Sequence, residues 1–226
     1  MKHVPTFALM GLLTLTSAAL AAPQVERVRG TIEKAEPGSV TIRTTDGKSE
    51  TIALTADTKF ASVAKSSFDA IKDGVFIGTA TKGDNPPTAL EVHIFPESMR
   101  GTGEGHRDWD TIPDTLAGGT HVKSAMTNGT VKASASAGPR VKSAMTNGTV
   151  ARSTDAGGEK SLTITYDKDQ SLKVIVPPQA PIVAYEPADA SILKPGAKAF
   201  VTATQEGGKL SANRVAIGKD GLTPPM

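Results

Sequence analysis

The chain of 226 residues contains no cysteine, so no disulfide can hold it together and an exported protein of this kind must be stable through its apolar core alone. Neither sign of charge dominates: 25 Lys and Arg face 23 Asp and Glu, and no broad basic field exists to condense on phosphates. Aromatic residues are few, six Phe, two Tyr and one Trp. They do not interleave with basic residues along a strand face, which removes the stacking pattern of a nucleic-acid binder. There is no G-x-S-x-G, no H-E-x-x-H and no P-loop. Ser62-Val63-Ala64-Lys65 and Ser191-Ile192-Leu193-Lys194 fit S-x-x-K, but without S-D-N and K-T-G companions that spacing arises by accident in a chain rich in serine and lysine. A hydrolase would need an activated nucleophile, and none is present in the pattern, so the chain reads as non-enzymatic.

Long apolar runs are missing beyond the N-terminus, which excludes a helical membrane span there. The first residues, MKHVPTFALMGLLTLTSAALAA, carry one lysine and an apolar, small-residue run from Val4 to Leu20, then Ala19-Leu20-Ala21, the small-x-small pattern of signal peptidase. This predicts a secretory signal over residues 1–21, cleaved near Ala21, and a periplasmic or secreted bacterial protein.

From Val25 onward the chain is patterned for strands. In VERVRGTIEKAEPGSVTIRTTDGKSETIALT, apolar residues fall in short alternating runs separated by Pro37-Gly38 and Asp46-Gly47, the second a strong hairpin signal because both residues tolerate positive φ. Phe60, Val63, Ala64, Phe68 and Ile71 recur at helical spacing and predict one short helix, stopped by Gly74. Two further strands carry Val75, Ile77 and Thr79, then Leu90, Val92 and Ile94. The order is βββαββ.

The second half repeats it. Gly30-Thr31-Ile32 corresponds to Gly148-Thr149-Val150, Ser39-Val40-Thr41-Ile42 to Ser161-Leu162-Thr163-Ile164, and Thr79-Ala80-Thr81 to Thr202-Ala203-Thr204. Where the first half has its helix, the second has Pro177, Pro178, Pro181 and Pro187, which predict a loop with at most one helical turn. The expected fold is mainly β, two tandem five-stranded OB-like small barrels with a short helix in the first. The boundaries read as a first barrel over 22–96, a connector over 97–140, a second barrel over 141–219 and a tail over 220–226.

On GTIEKAEPGSVTIRTTDGKSETIALTADTKF, IKDGVFIGTATKG and the terminal ANRVAIGKDGLTPPM, the chain resembles bacterial periplasmic tandem domains of the "domain of unknown function 5666" type. The resemblance implies OB-fold-like barrels and no catalytic residues that could be carried over. Some such proteins bear metal-permease names, which a chain without spanning helices does not suit.

VKSAMTNGTV occurs twice, at 122–131 and 141–150, with the low-complexity KASASAGPR between. Only one copy can serve as the first strand of the second barrel. Its distance to Ser161 favours the copy ending at Val150, leaving the other as loop or added edge strand. Identical side chains offer identical register, so the two copies can compete for one position.

The stretch HIFPESMRGTGEGHRDWD, residues 93–110, concentrates the polar chemistry. His93, His106, Asp108 and Asp110 are the candidate ligands for a divalent zinc or copper ion, and His106-x-Asp108-x-Asp110 would place three donors on one side of an extended strand. Arg100 and Arg107 offer a plainer reading, a salt-bridged connector. A third is structural: Phe95, Met99 and Trp109 pack the segment across both barrels, leaving a small-ligand groove between them. The functional expectation is an exported binding or envelope-associated module whose partner is an unknown small ligand or an envelope protein, with metal binding through His93 and His106 as the alternative.

Overall fold

The structure, a computed structural model, describes residues 24–118, 121–132, 160–167 and 170–225. The segment read as a secretory signal and the second VKSAMTNGTV copy lie outside them. Thirteen strands run in the order β1 (Gln24–Glu36), β2 (Ser39–Thr44), β3 (Ser49–Ala53), β4 (Lys59–Lys65), β5 (Phe76–Lys82), β6 (Thr88–Ile94), β7 (Gly105–Pro113), β8 (His121–Val131), β9 (Lys160–Tyr166), β10 (Gln170–Val176), β11 (Ile182–Ala188), β12 (Lys198–Glu206) and β13 (Lys209–Gly218). Among the described residues the only helical segments are single 3-10 turns, as at Phe68–Ala70 and Ala190–Ile192. The chain is mainly β.

Two self-contained barrels in tandem, as the sequence led us to expect, are not what the pairing shows. All the strands belong to one mixed sheet. Within it the ladder returns on itself twice. In one circuit β1, β2 and β3 from the start of the chain pair onward to β13 and β12 from its end, β12 pairs back to β1, and a short parallel contact of Leu210 with Ile52 makes the closure. In the other, β8, β9, β10, β6 and β5 do the same, closed by Ile175 beside Thr88. The second circuit is thus inserted, contiguous in sequence, between the two parts of the first, which we call the terminal circuit. Each has its own core: Ile32, Val40, Ile42, Ile52, Val201 and Val215 fill the terminal circuit, and Ile77, Val92, Val131, Leu162, Ile164 and Val174 the inserted one.

The repeat survives at the backbone. A Cβ on Gly30 would lie 2.0 Å from the Arg43 carbonyl oxygen and 2.8 Å from Ile42 Cγ2; one on Gly129 would lie 2.3 Å from the Thr165 carbonyl oxygen and 2.9 Å from Ile164 Cγ2. Both glycines let the first strand of a circuit pass hard against the second, in the same surroundings. Gly129 belongs to the first VKSAMTNGTV copy, so that copy, and not the one ending at Val150, forms β8 and pairs with β5, β7 and β9. Deleting 122–140 and deleting 132–150 give one and the same polypeptide, which keeps one full copy. That variant is expected to fold, with stability raised by up to about 1 kcal/mol from the shorter closure between β8 and β9. Chemical denaturation checks it, and an unfolded product would show that the second copy is structural.

Two elements differ from expectation, and burial explains both. The apolar residues from Phe60 to Ile71 form no helix but β4 and one 3-10 turn. Phe60 packs into the terminal circuit, Ala61 and Val63 face the layer between the circuits, and Phe68 and Ile71 reach the inserted core. A strand covered on both faces loses the period of two and can mimic helical spacing. The proline-rich stretch likewise forms a strand, β11, antiparallel to β4 and parallel to β6 over Ile182–Ala184. Pro187 lies beyond the stretch paired with β6, where its missing N–H costs no ladder bond on that side. The expected single helical turn comes next, with Asp189 accepting a hydrogen bond from the Ser191 N–H. Together β4 and β11 carry the chain between circuits and, with Tyr185, Phe200, Phe95 and Met99, build a third apolar layer there.

Candidate functional site

Cross-strand rows place the side chains. In the inserted circuit His93, Gly78, Asn128 and Gly105 stand opposite one another on β6, β5, β8 and β7, and Glu91, Ala80, Met126 and Arg107 form the next row but one. Both rows face the terminal circuit. Between them lies the row Val92, Thr79, Thr127 and His106, which faces inward. The opposing wall comes from the outward rows of the terminal circuit, Arg27 beside Thr202 beside Arg214, and Arg29 beside Phe200 beside Ala216. The two walls enclose a cavity of about 240 Å³, with Trp109, Phe95 and Tyr185 completing it.

The expected metal set is dispersed. His93 and His106 face opposite sides of the sheet three strand spacings apart, roughly 14 Å. His93 is fully buried, its Nε2 3.1 Å from Glu91 Oε1 and its ring beside Phe95 and Tyr185. His106 shares a 2.9 Å hydrogen bond between Nδ1 and the Thr127 hydroxyl and lies against Tyr166. Asp108 is exposed, 3.5 Å from Lys123 Nζ. A register shift between Asp108 and Thr111 breaks the alternation that would have aligned the three donors. It turns Asp110 toward β1, where Arg27 Nη1 and Arg29 Nη2 each donate to one of its oxygens at 2.9 Å. Among the described residues no three His, Asp or Glu side chains gather as a metal would require.

The connector residues do bridge the circuits. Phe95 lies 5.1 Å from the Tyr185 ring and 5.9 Å from Phe76, and Met99 joins the same apolar layer. Trp109 packs with Leu90, Ile112 and Met126, and the Arg27 guanidinium sits 3.8 Å above its ring. Arg100 is the ion-paired connector residue that the sequence suggested: it holds Glu97 through two hydrogen bonds and reaches the Gly74 carbonyl and the Thr130 hydroxyl. Arg107 is not; it donates to the Gly103 carbonyl and has no acidic partner among the described residues.

Electrostatically the cavity is short of anions. Burial lowers the pKa of Arg107, and the like charge of Arg27 adds to the effect; burial also lowers that of Arg214, which lacks an ion pair among the described residues. Guanidinium groups stay charged regardless, so the cost of removing these two from water is borne without an ion pair among the described residues, Arg107 being relieved only by the Gly103 carbonyl and the Trp109 ring. Burial, followed by Glu91, pushes the Tyr185 hydroxyl far above its ordinary value, so it keeps its proton and can donate a hydrogen bond. Four of the residues that line the cavity carry a buried polar atom without a hydrogen-bond partner: Arg27 Nε, Trp109 Nε1, Asn128 Oδ1 and the Tyr185 hydroxyl. Such atoms are scarce in folded proteins, and four among the residues of one cavity call for a partner there, bound water or ligand.

Away from the cavity, burial holds His106 below its ordinary pKa of 6.5, opposed by Asp108. The unfolded chain therefore takes up a proton on this residue before the folded chain does, and stability falls as pH drops below about 6.5. The variant His106→Gln is expected to show a flatter decline in Tm between pH 7.5 and pH 5 than the unaltered chain; equal slopes would exclude this contribution.

Sequence reasoning named Trp109, Phe95 and Met99 but missed Arg27, Tyr185 and Arg214. For the two arginines the signal was phase, each lying on the outward face of a strand with apolar inward residues, as Arg27 and Arg29 flank Val28; Tyr185 shares its face of β11 with Val183 and gave no such signal. No family model, no curated protein and no solved structure matches this chain.

Proposed function

We propose that the chain is an exported, non-enzymatic binding protein that holds a small ligand in the cleft between its two strand circuits. The observation that carries this reading is that four residues with an unpartnered buried polar atom all line one cavity walled by both circuits. Each circuit has the strand layout of a partly open five-stranded barrel, which favours the OB-like reading and the resemblance to the periplasmic "domain of unknown function 5666" type. The N-terminal pattern supports export, and no described helix is long and apolar enough to cross a membrane. At about 240 Å³ the cavity lies just below the usual range of ligand sites, which run from roughly 300 Å³ upward.

A thermal-shift screen of small metabolites against the full chain tests this, with Thr202→Phe as the filled-cleft control. Ligands that raise Tm in the unaltered chain and not in Thr202→Phe bear it out. Equal shifts in both proteins place binding elsewhere. Metal analysis of untagged protein, with His93→Ala and His106→Ala, decides the metal alternative separately.

A further inference from the structure

The geometry points to a small organic anion as the occupant of this cleft, its acid group between Arg214 and Arg107 and a flat apolar body against Trp109 and Phe200. The inference rests on the reading of the cleft as a ligand site and adds the chemical class of the ligand. Three guanidinium groups line the cavity; among the described residues the one acid in ionic contact with any of them, Asp110, is already held by Arg27 and Arg29, and Glu91 on the opposite wall is engaged by His93. A cation would add to this repulsion. An anion would relieve it, because Arg107 and Arg214 are partly withdrawn from water without a counter-charge. Three of the four unpartnered atoms agree in sign, since Arg27 Nε and Trp109 Nε1 can only donate and the Tyr185 hydroxyl keeps its proton; the fourth, Asn128 Oδ1, is an acceptor and calls for a donor instead.

Size and lining narrow the class further. About 240 Å³ equals the liquid volume of on the order of eight waters. That is more than an inorganic oxyanion fills and too little for a nucleotide. Much of the remaining wall is apolar, with Phe95, Met126 and Phe200 beside the indole and Thr102, Thr202 and Asn128 among them, and a bare oxyanion would leave the apolar part wet. Arg214 also borders a more open cavity together with Met99 and Thr102, so an acid group can approach it from solvent. Guanidinium pairs with carboxylate in a planar, two-bonded geometry, which suits a carboxylate on a flat body.

The test titrates the full chain with benzoate, its neutral isostere benzamide and inorganic phosphate, following the emission of Trp109, the only tryptophan. Benzoate is expected to bind with a Kd on the order of 0.1–1 mM. It should bind at least ten-fold tighter than either of the others. Arg214→Gln and Arg107→Gln should each weaken benzoate ten-fold or more while leaving benzamide unchanged, melting curves confirming that both variants fold. Benzamide binding as tightly as benzoate would overturn the anion assignment and leave the cleft a ligand site. Phosphate binding as tightly would overturn the organic body. No response to any of the three overturns the inference; it also takes down the binding reading only if the metabolite screen yields nothing that Thr202→Phe blocks.

Discussion

Gly30→Ala is expected to destabilise the protein by about 2–3 kcal/mol, lowering Tm by roughly 5–10 °C. The added methyl would stand 2.0 Å from the Arg43 carbonyl oxygen, a backbone atom fixed by the β2 ladder, and 2.8 Å from Ile42 in the terminal core. Neither neighbour can swing away, so β1 and β2 must part and the cavity so made lies among the most buried residues of the circuit. Gly129→Ala meets the same obstacle from Thr165 and Ile164. Here the duplicated segment makes a distinguishing difference. In the shortened chain with a single copy the full loss is expected. In the complete chain the unaltered second copy can take the same register, and a loss at least 1 kcal/mol smaller is predicted for about that energy of slippage. Denaturant unfolding of the two proteins side by side reads the difference, and equal losses would mean that the copies do not compete.

Replacing Asp110 acts on stability and binding in opposite directions. Its carboxylate accepts one hydrogen bond from Arg27 and one from Arg29, and it is the only acid in ionic contact with the arginines of the cleft wall among the described residues. Asp110→Ala leaves these guanidinium groups with Arg107 in mutual repulsion, at a cost of about 1–3 kcal/mol. The same change raises the positive potential of the cleft, so benzoate affinity should increase several-fold even as Tm falls. Weaker benzoate binding in a folded Asp110→Ala protein would mean that the acid, and not the arginines, positions the ligand. Screening distinguishes the two as well, since the gain in affinity should shrink as salt is added.

The local β pattern was legible in the sequence because hairpin chemistry and alternation act over a few residues. Asp46-Gly47 sits at the turn between β2 and β3, and residues 39–42 and 161–164 occupy equivalent places in the two circuits. Residues 79–81 and 202–204 fall on equivalent strands but one residue out of register, Ala80 standing where Thr202 does, and residues 148–150 lie outside the described residues. Which hairpin closes which circuit was not legible, and the reason is the repeat itself. The pair β5–β6 and the pair β12–β13 present the same alternation to the same kind of three-strand meander, so pattern alone cannot separate local from exchanged closure. What decides it is the course of β4 and β11. Their residues feed three cores at once, which blurs their period and hid them as a helix and a loop. The duplicated decapeptide posed the same difficulty in purer form, since identical sequences carry no information about which copy pairs. At the site, the donors of the connector were legible as residues, but the shift after Asp108 that turns Asp110 to the arginines was not. Nor could spacing reveal that Arg27, Thr202 and Arg214 form one row, because their strands are distant in the chain and meet only through the exchange.

The cleft exists because strands from the two ends of the chain close one circuit around the other, and a chain without cysteine allows a direct measurement of that pairing. Thr31 and Lys198 are opposite one another on β1 and β12, with the Lys198 ammonium donating to the Thr31 hydroxyl at 2.8 Å. In a tandem arrangement β1 would instead lie beside β5, bringing Glu26 opposite Thr81. Mild oxidation of Thr31→Cys/Lys198→Cys, followed on non-reducing gels, is predicted to give a monomeric cross-linked species, while Glu26→Cys/Thr81→Cys stays reduced. Cross-linking of the second pair and not of the first would contradict the exchanged closure and remove the cleft with it.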